Sequence, residues 1–170
     1  MEQDDLYQQA SAEYGAALER LARAYEADAD KRRDLLQEIH LELWRSFETF
    51  EDRCSLRTWI YRIAHNTAAS HVLRQRRANS RNLVSLEELE AAPDPSDHAG
   101  ETEQRLALER LLHVIHRLKP LDRQVMLLYL EEMDAPSIGE ITGISAGNVR
   151  TQIHRIKNLL ARRFQGGMRT

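Results

Sequence analysis

Hydrophobic residues recur along this 170-residue chain three and four positions apart, the spacing of one face of an α-helix. In the N-terminal half this spacing predicts one helix over roughly residues 5–27 and a second over roughly 31–47. Ser55 is suited to cap a third helix, which ends in an arginine cluster at residues 74–77. No alternating, strand-like pattern is visible, so the sequence predicts an all-α protein.

The helical pattern stops near residue 80, and an acidic stretch that contains two prolines follows it. Residues 87–104 hold seven acidic side chains and no basic one, with a weak signal for one helical turn over 86–89. The helical pattern then returns, and Asp122 is placed to cap the helix that follows Pro120. We therefore predict two small helical domains joined by an acidic flexible linker, with the bounds 1–80, 81–103 and 104–170.

The C-terminal segment has the outline of a helix-turn-helix. Ser137 and Glu140 have the spacing of a capping box, which predicts the start of a short helix. Gly143 and Ser145 predict a turn and a new N-cap, and a second helix extends from there toward Phe164. One stripe of this second helix is apolar and is expected to face a core: Val149, Ile153, Ile156 and Leu160.

The formal net charge of −3 conceals a strong sorting of charge along the chain. Residues 1–52 hold 14 acids and 6 bases, residues 53–86 hold seven arginines and no acid, and no acid follows Glu140. Two basic blocks separated by an acidic stretch indicate two surfaces that face nucleic acid. The outer face of the last helix suits a DNA major groove, although a helical hairpin with a solvated basic face is the alternative. Its candidate DNA-binding residues are Asn148, Arg150, Thr151, His154, Arg155 and Lys157.

The first basic block interleaves arginines with aromatic, histidine and asparagine side chains. This combination suits stacking on unpaired bases, hydrogen bonding to them and holding the phosphate backbone. The alternative is that Trp59 and Tyr61 belong to the core and the arginines only keep the surface soluble. The candidate residues are Arg53, Arg57, Trp59, Arg62, His65, Asn66, Arg74, Arg76 and Arg77.

Signals for catalysis, metal binding and membrane insertion are weak. Cys54 is the only cysteine, which excludes an internal disulfide and a cysteine-based zinc site and fits a reducing cytoplasm. His113 and His116 have no evident third ligand, and no phosphate-binding glycine loop or catalytic triad is visible. The acidic N-terminus is not a signal peptide, and no apolar run could span a bilayer. We therefore predict a soluble cytoplasmic protein with no enzymatic activity, metal or cofactor.

Three segments, in order, resemble the bacterial sigma factors of RNA polymerase. Residues 34–38 with Leu43-Trp44-Arg45 resemble the segment that binds core polymerase, and residues 56–66 resemble the segment that reads and melts the −10 element. Residues 118–124, and residues 141–155 after them, resemble region 4, which binds the −35 element. With two domains and a short linker, the chain is similar to an extracytoplasmic-function (group 4) factor of the sigma-70 family.

The resemblance implies roles that composition and spacing do not reveal. Residues docking on the clamp helices of the polymerase β′ subunit would be Asp34, Gln37, Glu38 and Trp44. Asn66 and the loop at 50–55 would hold an extruded −10 base, and region 4 would sit on the β flap and reach the −35 element. An anti-sigma factor is the expected regulator. A conventional helix-turn-helix repressor and a nucleic-acid-processing enzyme are the competing hypotheses, and the repressor leaves the arginine block and the acidic stretch unexplained.

Overall fold

The computed structural model describes residues 2–79, 83–92 and 103–164, with side chains over 2–75, 83–92 and 105–164. Within these ranges the regular structure is helical, apart from one isolated bridge between Val84 and Leu118. The helices are α1 (Gln3–Tyr25), α2 (Ala29–Ser46), α3 (Leu56–Asn79), α4 (Leu86–Ala91), α5 (Glu103–Arg117), α6 (Pro120–Leu130), α7 (Ala135–Thr142) and α8 (Ala146–Phe164), with a short 3₁₀ turn at Phe47–Thr49.

The chain divides into two compact units, which confirms an all-α protein with two small helical bodies. The first comprises Met1–Arg81 with Glu140–Gly143, and the second comprises Asn82–Gly139 with Ile144–Thr170.

The first unit packs α1, α2 and α3 around an apolar core. Helix α2 begins at Ala29 because the Asp28 carboxylate accepts hydrogen bonds from the Asp30 and Lys31 backbone N–H groups, at 3.1 and 3.0 Å. Ser55 caps α3 as predicted, since its Oγ accepts from the Thr58 backbone N–H at 3.1 Å. The buried apolar side chains include Leu18, Leu21, Leu35, Ile39, Leu43, Phe47, Ile60, Ala64 and Ala68.

A polar pair lies within this core. His71 Nε2 and a Glu26 carboxylate oxygen are 2.8 Å apart, and both side chains are nearly buried. Burial alone would raise the pKa of Glu26, but hydrogen bonds from His71 and from the Asp28 backbone hold that pKa below its usual value. The pair therefore joins the end of α1 to α3 through a charged carboxylate at neutral pH.

The second unit builds its core from α4, α5, α6 and α8. Helix α6 starts at Pro120, so the prediction that Asp122 caps it is wrong; this carboxylate instead accepts from the Leu86 backbone N–H at 3.0 Å. Arg123 is buried and donates to the His116 and Leu118 carbonyls, which closes the end of α5. Buried apolar side chains include Leu86, Leu89, Val114, Ile115, Leu118, Val125, Met126, Leu128, Val149, Ile156 and Leu159.

The stretch from Val84 to Ala91 is folded, although it lies inside the predicted flexible linker. Val84 exchanges backbone hydrogen bonds of 2.9 Å with Arg117 and Lys119, and Ser85 with Glu88 forms a capping box at the start of α4. Leu86 and Leu89 are 2% and 1% exposed, because α4 packs against α8. The weak helical turn of the sequence is thus a docked helix of the second unit.

The helix-turn-helix forms with a different start from the one predicted. Helix α7 begins at Ala135 because Asp134 accepts from the Ser137 backbone N–H at 2.9 Å, so Ser137 lies inside the helix and the predicted capping box at Ser137 is wrong. Gly139 passes so close to the next turn that a Cβ there would lie 2.7 Å from the Ile144 carbonyl oxygen. Gly143 has a φ of +81°, which favours glycine. Ser145 caps α8 as predicted, accepting from the Asn148 backbone N–H at 3.1 Å.

Candidate nucleic-acid interface

Helix α8 presents one packed face and one exposed polar face. Val149, Ile156 and Leu159 are fully buried, whereas Ile153 and Leu160 of the predicted stripe are half-buried. The exposed face carries five of the six residues predicted to bind DNA: Asn148, Arg150, Thr151, His154 and Lys157. No acidic residue occurs on this helix, so its outer surface is a continuous basic and hydrogen-bonding face.

Short-range hydrogen bonds hold parts of this face in place. The Thr151 hydroxyl donates to the Gly147 carbonyl at 3.2 Å, and its oxygen can still accept from a donor outside the helix. Asn158 Nδ2 and His154 Nε2 lie 3.4 Å apart, one turn from each other. The face therefore combines cationic groups with both donors and acceptors, the combination used for reading base edges.

Arg155, the sixth predicted residue, lies on the flank of α8 instead of the centre of this face. Its side chain is 33% exposed, and its Nη1 is ion-paired with a Glu87 carboxylate oxygen of α4. Arg155 also lies close enough to Asp122 for its charge to favour the ionised form of that carboxylate, although burial raises the pKa of Asp122 overall. Glu87 is a residue that the sequence analysis missed, and the Ser85–Glu88 capping spacing is the signal that could have revealed its helix.

The arginine block of the first unit lies on α3 and the loop before it. Arg53 is exposed and paired with Glu51, and Arg57 lies over the Tyr61 ring, 5.7 Å from its centroid. Arg62 is half-buried and Asn66 is exposed, while the side chains of Arg76 and Arg77 lie outside the described residues.

His65 is buried, which contradicts its predicted role as a DNA contact. Its side chain is 1% exposed, and its Nδ1 lies 2.8 Å from the Tyr25 hydroxyl. Burial lowers the pKa of His65 to about 3, so the imidazole is neutral at physiological pH. His65 therefore holds α1 against α3 and has no surface to offer a nucleic acid.

Trp59 is half-buried and fixed from two sides. Its indole Nε1 donates to the Ser46 hydroxyl at 3.0 Å, and its ring centroid lies 5.3 Å from that of Phe50. The Ser46 hydroxyl in turn donates to the Leu43 carbonyl at 2.8 Å. This network anchors the start of α3 to the end of α2, and Phe50 of the loop before α3 packs against it.

A groove of about 510 Å³ runs between α2 and α3. Arg74 Nη2 donates to both carboxylate oxygens of Glu38 across this groove, each at 3.0 Å. One predicted DNA-binding residue is thus paired with one predicted polymerase-binding residue. The groove is lined by Glu38, Glu42, Arg45, Ser46, Ile63, Asn66, Thr67, Ser70 and Arg74.

The remaining predicted polymerase-binding residues are exposed on α2. Asp34 and Gln37 are exposed near the middle of the helix, and Trp44 at its end is 39% exposed. The Trp44 indole donates to an Asp4 carboxylate oxygen of α1 at 2.8 Å, which fixes the ring at the surface. The α2 surface thus offers a polar ridge with two large exposed apolar side chains, Trp44 and Leu41, the second of which is 45% exposed.

The described residues contain no recognisable metal site and no helix that could span a membrane. No group of three or more His, Cys, Asp or Glu side chains there is arranged to hold a metal ion, and this includes the surroundings of His113. No helix in those ranges has both the length and the apolar character that crossing a bilayer requires.

Two protein-family models match the chain, one in its N-terminal half and one in its C-terminal half. Residues 11–78 match Sigma-70 region 2, and residues 108–160 match Sigma-70, region 4. The chain is 30% identical over 140 residues to the ECF RNA polymerase sigma-E factor of Haemophilus influenzae, covering 78% of this chain and 74% of the relative. It is 27% identical over 141 residues to the RNA polymerase sigma factor SigV of Bacillus subtilis, covering 83% of this chain and 80% of SigV.

Two solved structures share the fold. CnrH in complex with the cytosolic domain of CnrY has a TM-score of 0.65 at 22% identity, covering 95% of this chain and 88% of CnrH. RpoE of Bartonella quintana in complex with the anti-sigma factor NepR has a TM-score of 0.65 at 20% identity, covering 96% of this chain and 98% of RpoE. With both units matched in order and a relative at 30% identity, the chain belongs to the extracytoplasmic-function sigma factors of the sigma-70 family.

Proposed function

We propose that this chain binds core RNA polymerase and directs it to promoters that carry a −35 and a −10 element. In this arrangement the second unit reads the −35 element, and the first unit reads and melts the −10 element. The observation that carries the proposal is the exposed face of α8, which has a capped N-terminus, a packed inner side and no carboxylate. The polymerase supplies the chemistry, and we assign no catalytic step to this chain.

At the −35 element, α8 would lie in the major groove. Arg150 and Lys157 are exposed cations that suit phosphates or the acceptor edge of guanine, and Asn148, Thr151 and His154 carry donors and acceptors for other base edges. Because Arg155 is paired on the flank of the helix, it is a weaker candidate for base reading than the sequence indicated.

At the −10 element, Asn66 is the strongest candidate for contact with an unpaired base. It is exposed on the rim of the α2–α3 groove, and its amide can both donate and accept. Arg53, Arg57 and Arg62 would hold the backbone of the separated strand, since single-strand binding combines cations with a shaped groove. Trp59 would act mainly by holding the start of α3 to Ser46 at the end of α2 and by packing against Phe50 of the intervening loop.

For core polymerase, we propose that the exposed ridge of α2 docks on the β′ clamp helices. Asp34, Gln37 and Trp44 offer charge, a hydrogen-bonding amide and an apolar surface within one helix face. Glu38 belongs to the same ridge, although its carboxylate is engaged by Arg74. The second unit would bind the β flap.

We also propose that an anti-sigma factor regulates this chain. The support is that RpoE of Bartonella quintana was solved with the anti-sigma factor NepR and that CnrH was solved with the cytosolic domain of CnrY. With RNA polymerase and promoter DNA as its partners, the chain would act in the cytoplasm.

Run-off transcription with purified core polymerase and genomic fragments tests the proposal. The full chain should confer initiation at discrete start sites, and Arg150→Ala with Thr151→Ala should abolish −35-dependent initiation while core binding persists. Arg105→Ala is the matched control, because Arg105 is an exposed arginine of the same unit on α5. Promoter binding without initiation would instead support a helix-turn-helix repressor, and metal-dependent cleavage of the fragments would support an enzyme.

A further inference from the structure

Helix α4 brings acidic side chains to the flank of α8. Its place is fixed by the Val84 backbone bridge, by burial of Leu86 and Leu89, and by the hydrogen bond from the Leu86 N–H to Asp122. Glu87 lies between the two buried leucines in sequence and therefore points away from them; its side chain is 69% exposed. An acidic group is thus held beside the helix that carries the basic face.

Glu87 contacts one specific cation of that helix. Its carboxylate is ion-paired with Nη1 of Arg155, and the Asp122 carboxylate lies near the same guanidinium. In the part of the chain that the structure describes, no ion pair joins Arg150 or Lys157 to another residue. The charge of Arg155 is therefore compensated within the protein, while the charges at the centre of the face remain available to a ligand.

We propose that Glu87 limits the DNA affinity of the second unit by holding Arg155 away from DNA, an inference that rests on the DNA-binding role proposed for α8. A guanidinium paired with a carboxylate must break or share that pair before it can donate to a phosphate. The carboxylate also repels phosphates that approach this side of α8. The DNA contact is thereby confined to the central face of the helix, and α4 forms its boundary.

The size of the effect follows from the exposure of the pair. Exposed ion pairs are weak, and competition from one of them changes an affinity by about two- to fivefold. Releasing Arg155 should also add about one phosphate contact, and each such contact makes the slope of log K against log salt more negative by about 0.9. Both effects are measurable on one promoter fragment.

The test compares Glu87→Gln with Glu90→Gln in holoenzyme assembled from core polymerase and the full chain. Both variants remove one negative charge from α4, but within the described residues the Glu90 side chain forms no hydrogen bond or ion pair. Binding is measured by fluorescence anisotropy on a promoter fragment mapped by the run-off assay, across a range of salt concentrations. Arg155→Ala and the double variant Glu87→Gln with Arg155→Ala complete a double-mutant cycle.

The expected result is tighter binding and a steeper salt dependence for Glu87→Gln, with a smaller change for Glu90→Gln. The gain should vanish in the Arg155→Ala background. Weaker binding by Glu87→Gln would overturn the inference, because it would mean that Glu87 orients Arg155 for DNA. An equal gain from both glutamine variants would also overturn it. If the wild-type holoenzyme instead fails to bind any promoter, the proposed function fails, which is a separate outcome.

Discussion

Replacing Gly139 with alanine should disrupt the helix-turn-helix, whereas the same change at two other helical glycines should not. A Cβ at Gly139 would lie 2.7 Å from the Ile144 carbonyl oxygen, and 3.6 Å from the Ala146 backbone nitrogen. An ordinary carbon–oxygen contact is closer to about 3.4 Å, so the backbone of the turn must move by about 0.7 Å. The obstructing atom belongs to the backbone and not to a flexible side chain, so the clash cannot be relieved by a rotamer change.

The magnitude follows from two opposing effects. Alanine favours a helix over glycine by roughly 0.5–1 kcal/mol, and overpacking a tight contact costs about 1–3 kcal/mol. At Gly139 the second effect should dominate, giving a net loss of about 1–2 kcal/mol in the free energy of unfolding. At Gly15 nothing lies within 4 Å of the added Cβ, and at Gly147 only the Ser145 hydroxyl lies at 4.0 Å, so only the favourable effect remains there.

Urea denaturation followed by circular dichroism compares the three variants, and hydrogen exchange of α7 and α8 localises the change. Gly139→Ala should unfold at lower urea and lose protection in these helices, and −35-dependent transcription should fall with it. Gly15→Ala and Gly147→Ala should match or exceed the wild-type stability. A Gly139→Ala protein as stable as the other two would refute the steric reasoning.

Three further substitutions, two of them paired with a control substitution, test the first and second units. Burial lowers the pKa of His65 from 6.5 to about 3, so the unfolded chain binds a proton at a higher pH than the folded protein does. The free energy of unfolding should therefore be highest above pH 6.5 and should fall as the pH drops from 6.5 toward about 3. His65→Asn should flatten this pH dependence in urea titrations. Asn66→Ala should impair open-complex formation, scored by permanganate footprinting, with core affinity unchanged, whereas Ser70→Ala on the same groove should behave as wild type. Leu86→Ala should lower the unfolding free energy by about 2–5 kcal/mol because this side chain is buried, and the exposed Leu121→Ala should change it by less than about 0.5 kcal/mol.

Local patterns predicted the helices well, because each carries its own apolar stripe and, in several cases, its own cap. Ser55 and Ser145 cap the helices assigned to them. At α7 two overlapping capping patterns compete, and the one that starts at Asp134 forms. That start places Pro136 in the first turn, where a missing N–H costs nothing.

Contacts between distant residues were the part that the sequence could not reveal. His65 is buried against Tyr25, which is 40 positions away in the sequence. The sequence shows only the arginine-rich neighbourhood of His65, and that neighbourhood favoured a surface histidine. Leu159 is buried in place of Leu160 because it lies one turn after Arg155, on the flank of α8 that α4 covers. Because the docking of α4 on α8 was not predicted, Arg155 was placed centrally among the DNA-binding candidates.

The backbone bridge at Val84 attaches α4 to the second unit, so the length of the acidic stretch affects the stability of that unit. Because α4 and α5 both belong to the second unit, the residues between them connect two elements of one body. Their number then enters the stability of that body as loop-closure entropy, in which each doubling of length costs only about 0.6 kcal/mol. Insertions or deletions after Ala91 should therefore change only slightly the free energy that keeps α4, and with it the Glu87 carboxylate, packed against α8.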